Sequence, residues 1–148
     1  MKKERMNNKG FSLVELIIVI AIMAVLVVVL APQFLKYVEK ARISTDKDNA
    51  AAIATALQVW AAAEGNPGSS DNATVTVGAT GGINLTSGSW AEAACNDAGI
   101  VNGNAAIQSK KASWATGYKV KMGTNGQISY LKSDGTAFND IADPNYEP

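Results

Sequence analysis

From Leu16 to Ala31 the chain carries no polar side chain, and the apolar stretch that opens at Phe11 is interrupted by one charge, Glu15. A helix over residues 11–31, at about 1.5 Å per residue, spans roughly 30 Å, the thickness of a bilayer's hydrocarbon core. The stretch therefore reads as a membrane segment. Before it stand Lys2, Lys3, Arg5 and Lys9 against Glu4, and positive charge on that flank favours retention in the cytoplasm. Everything after it is then expected outside. A charged side chain within such a segment costs about 2.5 to 3.5 kcal/mol on insertion scales, so Glu15 calls for a partner. An amine at the start of the same segment would serve.

A cleavable secretion signal also begins with basic residues and an apolar run. Three features oppose that reading. The run is long, a glutamate lies in its first turn, and the small-residue exit Val29-Leu30-Ala31 is followed by Pro32. Gly10-Phe11-Ser12-Leu13-Val14-Glu15 after a short basic leader, then the apolar run and Pro32, resembles the amino-terminal signature of type IV pilins and pseudopilins. The resemblance covers about residues 1–60. It implies that a prepilin peptidase cuts the Gly10-Phe11 bond and methylates the new amine of Phe11, and that Glu15 acts in assembly by pairing with an amine. Within one chain a regular helix leaves the amine at its own end, so a neighbouring subunit's Phe11 is expected to serve as well or better.

At 148 residues the chain leaves room for one small domain beyond leader and span. Its 13 cations balance its 13 anions, and removal of the leader leaves nine against twelve. A mildly acidic remainder argues against nucleic-acid capture, which needs a concentrated basic face. Lys110, Lys111, Lys119 and Lys121 form the local basic cluster and read as a solvated strand face. The absence of histidine removes the usual general base and the commonest zinc ligand, so neither catalysis nor a cofactor or metal is expected. Cys95 is the single cysteine, so no intrachain disulfide can form, a departure from many pilins of diderm bacteria. It reads as a small buried hydrophobe.

No glycine or proline falls between Gln33 and Glu64, so the helix should continue past the membrane, with a bend near Val28 caused by Pro32. Lys36, Glu39, Lys40, Arg42, Asp46, Lys47 and Asp48 make the next section mixed in charge. Ala50, Ile53, Ala54, Leu57, Trp60 and Ala61 then recur at helical spacing, an apolar stripe that a sheet must cover. Glu64-Gly65-Asn66-Pro67-Gly68, a cluster of stop signals, should end a helix that runs from Phe11 to Ala63.

Residues 65–104 read as a connecting loop, with a short strand over Asn72–Val77. Asn84-Leu85-Thr86 matches the N-glycosylation pattern and is read as incidental. Ser89-Trp90-Ala91-Glu92 fits a capping box, opening a helix over about 90–98 closed by Gly99. The last third reads as an antiparallel meander: Tyr118 to Met122, a turn at Thr124-Asn125-Gly126, Gln127 to Ser133, a turn at Asp134-Gly135, then Thr136 to Asn139. Asp134, Asp140 and Asp143 could ligate calcium, as in major pseudopilins, but their spacing matches no dedicated calcium loop and acidic surface turns are expected.

The expected fold is α+β, a long amino-terminal helix whose distal half packs on a carboxy-terminal antiparallel sheet of three or four strands. Residues 1–10 form the leader, 11–35 the transmembrane and polymerisation helix, and 36–148 the head, with Ile53, Leu57 and Trp60 between helix and sheet. By resemblance the chain is a filament subunit, stored in the membrane and then assembled outside the cell. Its partners would be membrane lipid, the prepilin peptidase, an assembly ATPase with its inner-membrane platform protein, and copies of itself. A pseudopilin of secretion or competence is the rival within the class. A permanently anchored extracellular binding module is the rival outside it.

Overall fold

The structure is a computed structural model, and residues 10–67 and 73–146 are described. The leader cations Lys2, Lys3, Arg5 and Lys9, Gly68 and the expected strand start at Asn72 lie outside the described residues. The chain divides into two compact units, Met1–Tyr37 and Val38–Pro148.

Helix α1 (Leu13–Glu64) is assigned as continuous helix with Pro32 inside it. Within the first unit its apolar side chains, Leu13 through Leu35, are exposed. A helix apolar all round is stable only where something other than water surrounds it. By length and composition this segment can cross a membrane. In the second unit α1 changes character. Glu39, Ile43, Asp46, Ala50, Ile53 and Leu57 are buried at three- and four-residue spacing, so the stripe expected from Ala50 onward starts about three turns earlier and includes two carboxylates. After Glu64 the backbone turns left-handed at Gly65 (φ +92°), and Pro67 follows, removing a donor that a continuing helix would need.

Four strands form one antiparallel sheet of order β2-β1-β3-β4: β1 (Thr74–Gly78), β2 (Gly82–Asn84), β3 (Gly117–Met122) and β4 (Ile128–Lys132). Val75 and Val77 of β1 and Tyr118, Val120 and Met122 of β3 alternate inward and are fully buried or nearly so. They share one core with Ile43, Ile53 and Leu57 of α1. The opposite positions, Thr74, Thr76, Lys119 and Lys121, are half-buried, as expected for the solvated side of such a sheet.

Two expectations need correction. Strand β2 lies within the loop expected over residues 65–104, because three residues amid glycines carry no alternation to detect. Thr136 to Asn139 is not a strand: its ladder reduces to a single bridge, Leu131 with Ala137. Phe138 and Ile141 are buried, so the chain leaves the sheet edge after one pairing to place them in the core.

Helix α2 (Trp90–Asp97) contributes Ala91, Ala94 and Cys95 to the core. Ser89 Oγ accepts from Glu92 N at 3.0 Å, as a capping serine should, while the Glu92 carboxylate reaches one residue further back than expected, to Gly88 N at 2.6 Å. At the other end Ile100 N donates to Cys95 O and Gly99 N to Asn96 O, with Gly99 at φ +74°, a Schellman closure. Burial pushes the Cys95 thiol up to about 11, so it stays protonated in neutral water.

Candidate assembly site

The start of α1 explains how a glutamate is held at the edge of an apolar helix. Ser12 is the residue before the first helical position, and its carbonyl accepts the first helical bond from Leu16 N at 3.2 Å. Its hydroxyl accepts from Val14 N at 3.4 Å, and its own N–H donates to Glu15 Oε2 at 2.8 Å. Ser12-Leu13-Val14-Glu15 therefore follows the capping-box pattern, with the hydroxyl on the N–H of Val14 in place of that of Glu15. Glu15 thus has a partner inside its own chain. Its negative charge also sits where the helix dipole is positive.

Gly10 and Phe11 precede the helix. Both are exposed, Phe11 at 90 %. The peptide bond between them lies outside the helical hydrogen-bond ladder, which begins with the Ser12 carbonyl. Gly10, Phe11 and Glu15 thus fall within a few residues at one end of α1, whereas Ile53, Leu57 and Trp60 belong to the second unit. Ile53 and Leu57 are fully buried there, and Trp60 lies partly buried at the margin of the core.

Sequence reasoning missed what fastens α1 to the rest of the second unit. Asp46, 1 % exposed, accepts four hydrogen bonds: from Gln108 N (2.7 Å), Ser109 N (3.0 Å), Ser109 Oγ (2.5 Å) and Trp114 Nε1 (3.2 Å). Two turns earlier, Glu39 Oε1 accepts from Lys110 N (2.6 Å) and Lys111 N (2.8 Å), and Arg42 lies 3.6 Å from Oε2. The connecting segment 107–114 has few strand partners for these donors, so two helix carboxylates take their place. Trp114 is fully buried and stacks near Tyr146 (4.8 Å between centroids) and Phe138 (6.3 Å). Tyr146 Oη accepts from Ser113 N at 2.9 Å, and Lys47 donates to the Asp143 carbonyl while its ammonium lies 5.6 Å from the Tyr146 ring. Aromatic packing and one lysine hold down the carboxy-terminal segment, where no disulfide can.

The three aspartates weighed as calcium ligands are engaged separately. Asp134 holds Thr136, Asp140 accepts from Ser113 Oγ, and Asp143 from Asn145 N. Among the described residues no cluster of three metal-ligating side chains occurs.

A terminal methylation signal would need an exposed, non-helical junction followed at once by a membrane-compatible helix, and residues 10–35 have that form. Residues 5–31 match the family described as the prokaryotic N-terminal methylation motif. Over 73 residues the chain is 36 % identical to the prepilin peptidase-dependent protein A of Clostridium perfringens (strain 13 / Type A), covering 49 % of this chain and 52 % of that one. Over 58 residues it is 40 % identical to the type IV major pilin protein PilA of Myxococcus xanthus (strain DK1622), covering 38 % of this chain and 26 % of that one. The chain thus spans about half or less of the length of these relatives, and no solved structure matches it. The motif and both relatives support the type IV pilin and pseudopilin family for this chain.

Proposed function

We propose that the chain is the structural subunit of an extracellular type IV pilus, made as a membrane-anchored prepilin with its amino terminus in the cytoplasm. The observation that carries this is the amino-terminal unit: an exposed Gly10-Phe11 junction, a capped helix start, and an uninterrupted apolar surface that matches the methylation motif. A prepilin peptidase cuts after Gly10 and methylates Phe11. An assembly ATPase, acting through an inner-membrane platform protein, then moves the subunit from lipid into a filament. The apolar surface exchanges lipid for neighbouring copies, so burial is nearly conserved while water never sees it.

Glu15 has a second task in this reading. In the precursor it caps its own helix through Ser12 N–H. After cleavage an ammonium appears at Phe11, and opposite charges attract far more strongly away from water. The carboxylate then draws its own or a neighbour's amine into register.

Glu15→Val tests this. Co-expressed with the peptidase, the variant is expected to insert and to be cleaved, giving a mature chain beginning at Phe11 by mass spectrometry, yet to yield no filaments. Parental filament yield from the cleaved variant would defeat the pairing role. A mature chain beginning at Met1 or Pro32 would sink the prepilin reading itself. Labelling of intact cells with antibody to the head separates a surface pilus from a pseudopilin.

A further inference from the structure

The sequence holds two Asn-Gly pairs, Asn102-Gly103 and Asn125-Gly126. Asparagine before glycine is chemically labile, because glycine lacks the Cβ that would keep its backbone nitrogen away from the preceding side chain. The nitrogen loses its proton to solvent base and attacks the side-chain carbonyl carbon, Cγ. The new C–N bond closes a succinimide, the Cγ–Nδ2 bond breaks, and ammonia departs with a proton from solvent. Water then opens the ring at either carbonyl, leaving aspartate or isoaspartate, with no change of oxidation state. Both asparagines are exposed, so exposure does not decide between them.

Hydrogen bonding does. Asn102 Oδ1 accepts from Leu85 N at 2.6 Å, and Gly103 N donates to Ile83 O at 2.9 Å. Side chain and attacking nitrogen are thus both clamped to the β2 segment. Behind them, a Cβ on Gly82 would meet Asn104 O at 2.5 Å, so the two backbones are already in close contact and leave no room to rearrange. Ring closure at Asn102 requires this whole contact to open. At Asn125 the side chain makes no hydrogen bond among the described residues, and the attacking Gly126 N is held only by its turn bond to Gly123 O at 2.9 Å. Opening one turn at a hairpin tip is among the least costly local fluctuations of a fold.

A third route to the same ring is closed. Asp134-Gly135 could cyclise through its acid form, but Asp134 accepts from Thr136 N (2.8 Å) and Thr136 Oγ1 (2.7 Å), which hold its carboxyl below the ordinary range. The ionised carboxylate has no leaving group.

The structure assigns Asn125, at the tip of the β3–β4 hairpin, as the site where the folded chain deamidates. Each event adds a negative charge, and isoaspartate also lengthens the main chain by one methylene beside the Met122–Ile128 pair. Solvent does not restore the lost amide, so the added charge records how long a folded chain has spent in water. This chemistry stands whether or not the filament reading does.

The test is to age the purified full-length chain in detergent and mildly alkaline buffer, folded and in denaturant, and to map Asn125, Asn102 and Asp134 by mass spectrometry with chromatographic resolution of isoaspartate. In the folded chain Asn125 should convert at least about tenfold faster than Asn102, a gap of about 1.4 kcal/mol in opening cost. In denaturant the two rates should converge. Asn125→Gln should remove the acidic species that parent samples develop on isoelectric focusing. Equal rates at the two asparagines in the folded chain would overturn the assignment, as would conversion at Asn102 or Asp134 first, or no conversion at Asn125 while the denatured chain converts.

Discussion

Asp46 and Glu39 carry charges that a sequence reading assigns to solvent, yet each organises a segment more than sixty residues away. A buried carboxylate is tolerated when its acceptors are filled, and Asp46 fills its own with three N–H groups and a hydroxyl. Asp46→Ala strands those donors, including the indole of the fully buried Trp114, and should cost about 3 kcal/mol of head stability in urea titrations. Glu39 yields a pH prediction. Burial raises its pKa, but the N–H groups of Lys111 and Lys110 and the charge of Arg42 outweigh this and set it below the ordinary 4.5. A carboxyl lowered on folding contributes stability in full above its unfolded pKa and loses it as pH falls through the folded value. Glu39→Gln should therefore melt below the parent at neutral pH, and the gap between the two should close as the pH drops under 4.5. A gap that stays constant in acid would mean that the charge itself contributes nothing.

At the level of elements, two tryptophans divide the labour unequally. Trp60 falls on the helical stripe but is only partly buried, while Trp114, on an irregular segment, fills the centre of the core. Trp114→Ala should cost roughly 3 to 5 kcal/mol and Trp60→Ala less than half of that, measured side by side in denaturant. The contrast shows what patterning reveals. Helix α1 is legible to within a residue at its end, because apolar spacing and the Gly65-Pro67 stop are local signals. The β3–β4 hairpin was legible for the same reason, its alternation framing Asn125-Gly126. Trp114 has no periodic neighbours, and the pairing of Asp46 with Ser109 is set by chain packing across 63 positions, so neither leaves a trace in sequence spacing. At the candidate site the roles proposed for Gly10, Phe11 and Glu15 rest on resemblance alone. The Ser12 to Glu15 bond, by contrast, follows from the spacing of the residues themselves.

For the molecule as a whole, the division after Tyr37 separates a unit with an exposed apolar helix from one that carries its own core. A chain beginning at Val38 should stay soluble without detergent and unfold cooperatively, with the near-ultraviolet circular dichroism of the parent head; precipitation would show that the head depends on the apolar unit. The sheet adds a restriction of its own. Beyond β2, Ile83 N donates to Asn104 O and Gly103 N to Ile83 O; beyond β4, Lys132 N donates to Thr136 O and Phe138 N to Tyr130 O. At these positions the outer strands pair with the chain's own loops, which shortens the edge left open to strand addition. Wherever such heads come close together, each edge amide already taken by the chain's own loops is one fewer start for cross-β stacking.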